Sequence, residues 1–218
     1  MKTQTIIFAL ATVIFAAPAL ADHNKTSWLF WKEGHWTEVT EDGDVFEGHY
    51  VNGERLGPWS ARLADGFVGE CLYVKDKDCN WVLRDVDGNV FEEGHFVDNK
   101  RHGHWAGRFD GEVWEGPYVS GKKHGQWVYR LTDGSGWEGP FVDGKQHGHW
   151  AWRDDDGDIG SEGPYVNGKK HGHWVLRFAD GGVWEGPYVD GKKHGHWVVR
   201  LPDGTVKHVT YRNGLIIK

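Results

Sequence analysis

The chain has 218 residues and a formal net charge of −7, with 32 Asp and Glu against 25 Lys and Arg. This acidic balance argues against a nucleic-acid-binding domain, which normally carries a basic excess, and only two cysteines exclude a disulfide-dense miniprotein. The 32 glycines and 14 tryptophans, against a single methionine, predict tight turns and flat rings packed over bare backbone instead of a Leu- and Met-rich core.

The first 21 residues are typical of a secretory signal peptide. Lys2 gives a positively charged start, residues 6–17 are apolar, and Ala-Leu-Ala at residues 19–21 forms a cleavage site. The apolar run is short for a membrane span, and no cysteine follows the cleavage site to carry a lipid anchor. We therefore predict an exported, soluble protein, periplasmic or secreted, with a mature chain of residues 22–218.

Eight tryptophans recur at intervals of 22 to 24 residues along the mature chain, and we call them the series tryptophans. They are Trp36, Trp59, Trp81, Trp105, Trp127, Trp150, Trp174 and Trp197. A fixed period of this length indicates a repeat architecture in which each unit buries its apolar face on its neighbours. We divide the single repeat domain, residues 22–218, into an N-terminal cap (22–35), seven repeat units (36–196) and a degenerate C-terminal unit (197–218).

Each unit contains two short runs rich in β-branched and aromatic residues, and each run ends in Asp-Gly or Asn-Gly. Such runs and turn dipeptides predict a β-hairpin, and no window of the mature chain has the apolar period of a helix. Unit lengths vary mainly near the Asp-Gly turn, where a change leaves the strand faces intact. The predicted fold class is all-β, an elongated single-layer array of stacked antiparallel β-hairpins.

Strand alternation also predicts a register within each hairpin. It places Trp174 and Tyr188 on one face, and a turn centred on Gly181 would pair these two residues directly. The same register pairs Arg177 with Glu185 on the opposite face and requires a loop with an odd number of residues. Equivalent pairs are expected at Arg62 and Glu70, Arg108 and Glu115, Arg130 and Glu138, and Arg153 and Glu162.

Glycine and proline inside the strands have expected roles of their own. The second turn of the unit would set Gly186 opposite Trp197 and Gly195 opposite Tyr188, so that a glycine provides a flat socket for a ring of the next strand. A proline cannot donate to a strand ladder, so we expect pairing to be interrupted on one side of each Gly-Pro step. These steps end at Pro117, Pro140, Pro164 and Pro187.

The sequence WEGPYVDGKKHGHWVVRLPDG, which begins at Trp184, resembles the MORN repeat. Units of that family begin with an aromatic residue, Glu and Gly, continue with spaced glycines and end with an apolar strand and Asp-Gly. The likeness starts at about Trp36 and is tightest in the fourth to seventh units, looser in the first three and degenerate in the last. In the HGHW element a tryptophan stands where the family often has a second glycine. This variant is similar to that of bacterial members, which include proteins described as antitoxins.

The MORN resemblance implies a hairpin array that binds or scaffolds other molecules, with protein contact in some members and phospholipid contact in others. It implies no catalytic activity and no cofactor. The residues agree, because nearly every candidate acid, base or nucleophile lies at a repeated position, whereas a catalytic centre is normally a unique constellation. We therefore expect an exported, non-enzymatic scaffold for a protein partner.

An aromatic face is the first candidate site. Its rings are either the core of the array or a partly open groove for an extended peptide, an apolar helix or a sugar chain. The candidate residues are Trp105, Tyr118, Trp127, Phe141, Trp150, Tyr165, Trp174, Tyr188 and Trp197.

Lysines of the second turns form the second candidate site. They are either solvated turn residues or a row along one edge of the array that attracts anionic phospholipid. The alternative function is therefore that of a cell-envelope ligand binder, which binds anionic phospholipid through these lysines or glycan through the aromatic face. The lysines are Lys122, Lys123, Lys169, Lys170, Lys192 and Lys193.

Paired histidines and the two cysteines complete the candidates. Two histidines at i and i+2 of a strand share a face and could offer two nitrogens to Zn²⁺ or Cu²⁺, although a tight site needs a third ligand. These histidines are either ordinary surface residues or ligands of a periplasmic metal-binding protein, which is a further alternative function. The pairs are His102 and His104, His147 and His149, His171 and His173, and His194 and His196. Cys71 and Cys79 replace two socket glycines, and an exported protein meets oxidising conditions, so we expect a local disulfide.

Overall fold

The computed structural model describes residues 32–217, so the predicted signal peptide and residues 22–31 of the predicted cap lie outside the described residues. Regular structure in this range consists of 21 β-strands in antiparallel hairpins, with no helix. The all-β hairpin fold class predicted from the sequence is therefore confirmed. Because residues 32–217 contain no helix, they hold no helical membrane span.

The chain contacts define two compact bodies. The N-terminal body holds residues 32–90 with His95–Lys100, and the C-terminal body holds Phe91–Gly94 with residues 101–217. Strands of the first are β1 (Gly34–Val39), β2 (Val45–Val51), β3 (Glu54–Arg62), β4 (Val68–Lys75) and β5 (Asp78–Arg84). The residues of β6 (Val90–Val97) are divided between the two.

Longer strands in the C-terminal body alternate with two-residue strands that follow each second turn. The longer strands are β7 (Lys100–Phe109, whose first residue belongs to the N-terminal body), β8 (Glu112–Val119), β10 (Gly125–Arg130), β11 (Gly136–Val142), β13 (Gly148–Arg153), β14 (Ile159–Val166), β16 (Gly172–Arg177), β17 (Val183–Val189), β19 (Gly195–Arg200), β20 (Val206–Arg212) and β21 (Leu215–Ile217). The short strands are β9 (Lys122–Lys123), β12 (Lys145–Gln146), β15 (Lys169–Lys170) and β18 (Lys192–Lys193).

Turn chemistry explains the hairpins. The second turn of a unit is a two-residue loop such as Asp190-Gly191, in which both residues have positive φ (49° and 82°), as a type I′ turn requires. The first turn is a three-residue loop, because the amide of Phe178 donates to the carbonyl of Gly182 (2.9 Å) and Gly181 has a φ of 87°. The odd loop length predicted for this turn is confirmed, whereas β7 and β8 are joined by a two-residue loop, Asp110-Gly111.

The predicted register of that hairpin is wrong by two residues. The loop is centred on Asp180, so Trp174 pairs with Gly186 and Arg177 pairs with Val183, whereas we predicted Tyr188 and Glu185 as their partners. A shift of two residues keeps every side chain on its face, so the face assignments remain correct. The predicted pairing of Gly195 with Tyr188 across the second turn is also wrong, since Tyr188 pairs there with Lys193.

Because of this register, the arginines form ion pairs with the preceding hairpin instead of their own. Arg153 lies 2.8 Å from Glu138 and Arg200 lies 2.8 Å from Glu185. Arg177 lies 2.9 Å from Glu162 in the same way. These half-exposed pairs connect consecutive units, and each stabilises that connection by a few tenths of a kcal/mol up to about 1 kcal/mol.

The predicted glycine sockets are present. A Cβ added at Gly186 would lie 2.5 Å from the ring of Trp197, and a Cβ added at Gly163 would lie 2.5 Å from the ring of Trp174. Only a residue without a side chain allows an indole to lie this close to the backbone of the previous unit. Series tryptophans such as Trp174 and Trp197 therefore pack on the backbone of the preceding unit, and they form the core between consecutive units.

Each Gly-Pro step interrupts pairing on one side, as predicted. Pro117 pairs with His104 in the β7–β8 ladder, but pairing towards β10 stops at Glu115 and resumes only in β9. The freed carbonyl of Pro117 accepts two hydrogen bonds, from the amide of His124 (2.9 Å) and from Nε1 of Trp127 (2.9 Å). The interruption thus supplies the acceptor that orients the buried indole.

A disulfide joins Cys71 to Cys79 in the N-terminal body, as predicted. Cys71 occupies a position that is a glycine socket in other units, and it pairs with Trp81. The Trp81 ring lies instead over Gly69, where an added Cβ would be 2.4 Å from the far edge of the indole. Both cysteines are buried.

Candidate functional site: the aromatic face of the C-terminal body

The aromatic face of the C-terminal body contains a ladder of alternating rings. Trp105, Trp127, Trp150, Trp174 and Trp197 are between 0 and 2% exposed. Trp127, Trp150, Trp174 and Trp197 each make edge-to-face contacts with Tyr or Phe rings on both sides, and Trp105 makes such a contact with Tyr118, at centroid separations of 5.1–6.1 Å. The five series tryptophans of this body are therefore core residues.

The other candidate residues of the predicted aromatic face remain partly accessible. Tyr118, Phe141, Tyr165 and Tyr188 are half-buried, and each lies between two indoles. A ligand groove on this face would therefore be lined mainly by these rings, with the series tryptophans beneath them. Burial raises the pKa of the Tyr118, Tyr165 and Tyr188 hydroxyls, so these groups stay neutral hydrogen-bond donors at physiological pH.

The lysine pairs of the second turns are divided between two environments, which the sequence did not predict. The first lysine of each pair is exposed, as at Lys122, Lys169 and Lys192. The second is half-buried with its ammonium group over a series indole, at 4.3 Å from Trp127 for Lys123, 4.0 Å from Trp174 for Lys170 and 4.3 Å from Trp197 for Lys193. Half of the predicted lipid-binding lysines are thus cations that cover the core.

Lys123 is the most perturbed of these cations. Its Nζ donates to the hydroxyl of Tyr129 (2.7 Å) and also lies 5.0 Å from the centre of that ring. Desolvation, with a smaller contribution from the Arg101 charge, lowers the pKa of Lys123 to about 8. Burial lowers the pKa of Lys170 and Lys193 as well.

A buried ion pair lies at the start of the C-terminal body. The Arg101 guanidinium donates to both carboxylate oxygens of Glu92 (2.9 and 2.8 Å), and Glu92 is only 6% exposed. Arg101 also lies over Trp105, 4.2 Å from its centroid. Arginine therefore takes the place of lysine where the cation must also neutralise a buried carboxylate.

A second set of aromatic residues on this face was missed as a candidate site. It comprises Trp114, Trp137, Trp152 and Trp184, which are half-buried except Trp137, whose exposed fraction is 42%. Three of them stand two residues before a socket glycine, and Trp152 stands two residues after Trp150. Strand alternation places all four on the face of the series tryptophans, so this signal was available in the sequence.

The histidine pairs do not have the strand geometry that the metal hypothesis assumed. Gly148, Gly172 and Gly195 have φ between 69° and 82°, which breaks the alternation between the two histidines of a pair. His149 lies 3.5 Å from Glu162, whereas His194 contacts the amide of Asn213 (3.5 Å).

Across residues 32–217 no three His, Cys, Asp or Glu side chains form a group that could hold a metal ion. Metal binding by the histidine pairs stays a prediction, and within this range no third protein side chain completes a site with either pair member.

An open cleft of about 880 Å³ lies beside Trp152. Its lining residues include Phe178, the basic residues Arg153 and Arg177, and the acidic residues Asp154 and Asp158. Charges of both signs line this cleft, and its opening makes one side of Trp152 accessible.

Comparison with known proteins adds a distant likeness. No family model and no curated protein matches the chain, so the MORN resemblance stays a prediction. Two similar solved structures are the SAS-4 (dCPAP) TCP domain of Drosophila melanogaster, in complex with a proline-rich motif of Ana2 (dSTIL), and the TCP10 domain of Danio rerio CPAP.

Both structures are 12% identical in sequence to this chain. The Drosophila domain has a TM-score of 0.36 and the match covers 89% of this chain and 98% of that one. The Danio domain has a TM-score of 0.26 with 84% and 98% covered. Likeness at this level says nothing of function.

Proposed function

We propose that the protein is an exported, non-enzymatic repeat protein of the MORN type that binds a protein partner through the aromatic face of the C-terminal body. The observation that carries the proposal is the row of partly exposed indoles, Trp114, Trp137, Trp152 and Trp184, held above a fully buried tryptophan core. Tryptophan, tyrosine and arginine dominate the binding energy of protein interfaces.

Rigidity of the surface supports this proposal. An added Cβ at Gly107 would lie 2.3 Å from the ring of Trp114, and one at Gly160 would lie 2.3 Å from Trp152, so both rings lie flat on glycine backbone. Trp137 and Trp152 contact each other with ring centres 6.1 Å apart. Rings fixed in this way lose little conformational freedom on binding, which favours affinity.

Capture from solubilised cell envelope on immobilised residues 22–218 tests the proposal. The test variant is Trp137→Ser/Trp152→Ser/Trp184→Ser. The matched control is Val119→Ser/Val142→Ser/Val189→Ser, which removes side chains 40–46% exposed on the opposite face. All three chains are first compared by circular dichroism and thermal melting to establish that they are folded.

A stoichiometric protein that the wild type and the valine control retain, and that the tryptophan variant loses, supports the proposal. Retention of that protein by the tryptophan variant would place the interface elsewhere. Retention of phospholipid or glycan with no protein would replace the proposal with the envelope-ligand function. In that function the exposed lysines Lys122, Lys169 and Lys192 bind phospholipid, or the aromatic rings bind glycan.

A further inference from the structure

Most series tryptophans have a cation of the same chain over the indole. Distances from the charged group to the ring centre are 4.6 Å for Lys32 and Trp36, 5.6 Å for Arg55 and Trp59, 4.2 Å for Arg101 and Trp105, 4.3 Å for Lys123 and Trp127, 4.0 Å for Lys170 and Trp174, and 4.3 Å for Lys193 and Trp197. Within the described residues of the C-terminal body, Trp150 is the series tryptophan over which no lysine or arginine lies.

Gln146 occupies the position from which that cation would come. It pairs with Phe141 as Lys193 pairs with Tyr188. Its carbonyl accepts from the amide of Gly168 (2.8 Å), just as the carbonyl of Lys193 accepts from Gly214 (2.8 Å). The backbone is therefore the same in both units, and a neutral amide replaces the ammonium group.

The surroundings of this position are richer in indoles than those of its equivalents. Lys193 lies over two rings of its own unit boundary, Trp184 (4.4 Å) and Trp197 (4.3 Å). The rings at the corresponding positions of the Gln146 unit are Trp137 and Trp150, and Trp152 lies beside Trp137 where Val199 stands in the later unit. Tyr165 lies against Trp150 at 6.1 Å. We call these four aromatic residues, Trp137, Trp150, Trp152 and Tyr165, the Gln146 cage.

We propose that the Gln146 cage binds the ammonium group of a lysine side chain that the protein partner supplies. This inference rests on the proposed function and names the chemistry of the partner. Lysines of the chain itself show that a primary alkylammonium fits over a series indole at 4.0–4.6 Å. Aromatic faces attract such a cation through the ring quadrupole.

Access and charge favour an external cation at this place. Trp137 is 42% exposed and Trp152 and Tyr165 are half-buried, so the cage is reached from these three rings, whereas Trp150, 2% exposed, forms its floor. Nε1 of Trp150 donates to the carbonyl of Pro140 (2.8 Å), which fixes the floor of the cage without a ligand. The net charge of −7 attracts a basic partner at long range.

The direct test uses Nα-acetyl-lysine amide as the probe and Nα-acetyl-norleucine amide as its neutral counterpart. Binding is followed by NMR from the indole N–H signals of Trp137, Trp150 and Trp152. We expect the lysine probe to shift these signals and the norleucine probe to leave them unchanged. Equal shifts from both probes, or none from either, would overturn the proposal.

Two variants make the test specific. Gln146→Lys supplies an internal cation, so it should weaken probe binding at least about tenfold, which is within the range of a desolvated cation–π contact, while the fold is retained. Lys170→Gln removes a cation from Trp174 and should add a second binding event that shifts the Trp174 signal. Unchanged probe binding in Gln146→Lys contradicts the site.

Two further measurements separate this inference from its neighbours. Tetramethylammonium binding more than about tenfold tighter than the lysine probe would overturn the lysine assignment in favour of a quaternary ammonium ligand. Capture of the protein partner by Gln146→Lys at wild-type strength would refute the inference and leave the proposed function intact. Failure of the proposed function is a separate outcome, in which the wild type captures no protein at all.

Discussion

Residues beside the series tryptophans differ between the two bodies. In the N-terminal body Ala61 and Leu83 follow their tryptophans by two residues, and each is 3% exposed. In the C-terminal body Tyr129 and Trp152 hold the equivalent positions and are half-buried. In these two units of the second body a ring is thus partly accessible where the first body has a buried small or aliphatic side chain, whereas Gly107, Leu176 and Val199 hold the position in its other units. This difference places the candidate binding surface in the C-terminal body.

The two bodies also hold their hairpins together by partly different means. β4 and β5 of the N-terminal body pair along almost their full length and are joined by the Cys71–Cys79 disulfide. Hairpins of the C-terminal body lose ladder pairs at each Gly-Pro step and gain an indole hydrogen bond and a cation over the ring. The N-terminal body uses the same contacts at Trp59, whose Nε1 donates to the carbonyl of His49 (3.1 Å) and which lies 5.6 Å from Arg55, so the disulfide is an additional covalent bond within one hairpin.

The largest expected effect distinguishes core from surface indoles in the C-terminal body. Trp174→Ala should destabilise the fold by about 3–5 kcal/mol, because a fully buried ring over Gly163 is lost. Trp137→Ala should cost less than about 1 kcal/mol, because Trp137 is 42% exposed. Urea unfolding followed by circular dichroism measures both free energies of unfolding. Similar losses for the two variants would contradict the division between core and surface.

Removal of the disulfide should act on the N-terminal body. Closing a loop with a sequence separation of 8 residues stabilises by about 2.5 kcal/mol in the chain-entropy picture, so Cys71→Ser/Cys79→Ser should lose about that amount. Hydrogen exchange resolves where the loss falls. We expect faster exchange in β4 and β5 with little change in β16 to β19. Equal acceleration in both bodies would show that they unfold as one cooperative unit.

The socket glycines give the next effect. Gly186→Ala would place a methyl group 2.5 Å from the Trp197 ring and should destabilise by about 1–3 kcal/mol, the usual cost of overpacking. Ser161→Ala, at a half-buried position in β14 that already carries a Cβ, is the control and should change little. Thermal melting monitored by near-ultraviolet circular dichroism would report loosening of the indole. An unchanged Trp197 signal in Gly186→Ala would argue against the socket.

Much of this arrangement could be predicted from the sequence because it depends on local rules. The period of 22–24 residues, the turn dipeptides and strand alternation predicted the hairpins, the glycine sockets and the interruption at proline. The register was wrong because the loop is centred on Asp180, and a glycine in a turn does not show by itself which turn position it occupies. The partners of Arg153 and Arg177 followed from that register and were wrong for the same reason.

The roles of the lysines could not be predicted in the same way. Lys122 and Lys123 are identical neighbours in the sequence, yet one is exposed and the other lies over Trp127. Alternation in a two-residue strand decides between them, because it directs only the second lysine to the face of the series tryptophans. The role of Gln146 can be inferred only from this geometry, because in the sequence a glutamine in place of lysine is an ordinary polar substitution.

The smallest expected effect is a pH dependence that belongs to the C-terminal body. The pKa of Lys123 is about 8 in the folded chain, below the ordinary value of 10.5, so between these values the unfolded chain holds a proton that the folded chain has released. Stability should therefore rise as pH increases from 8 to 10. Lys123→Met keeps the apolar stem and removes the titrating group, so the rise should be reduced. Urea unfolding at pH 7, 8, 9 and 10 measures the slope. A steeper rise in Lys123→Met than in the wild type would mean that the Trp127 and Tyr129 rings stabilise the charged lysine more than burial disfavours it.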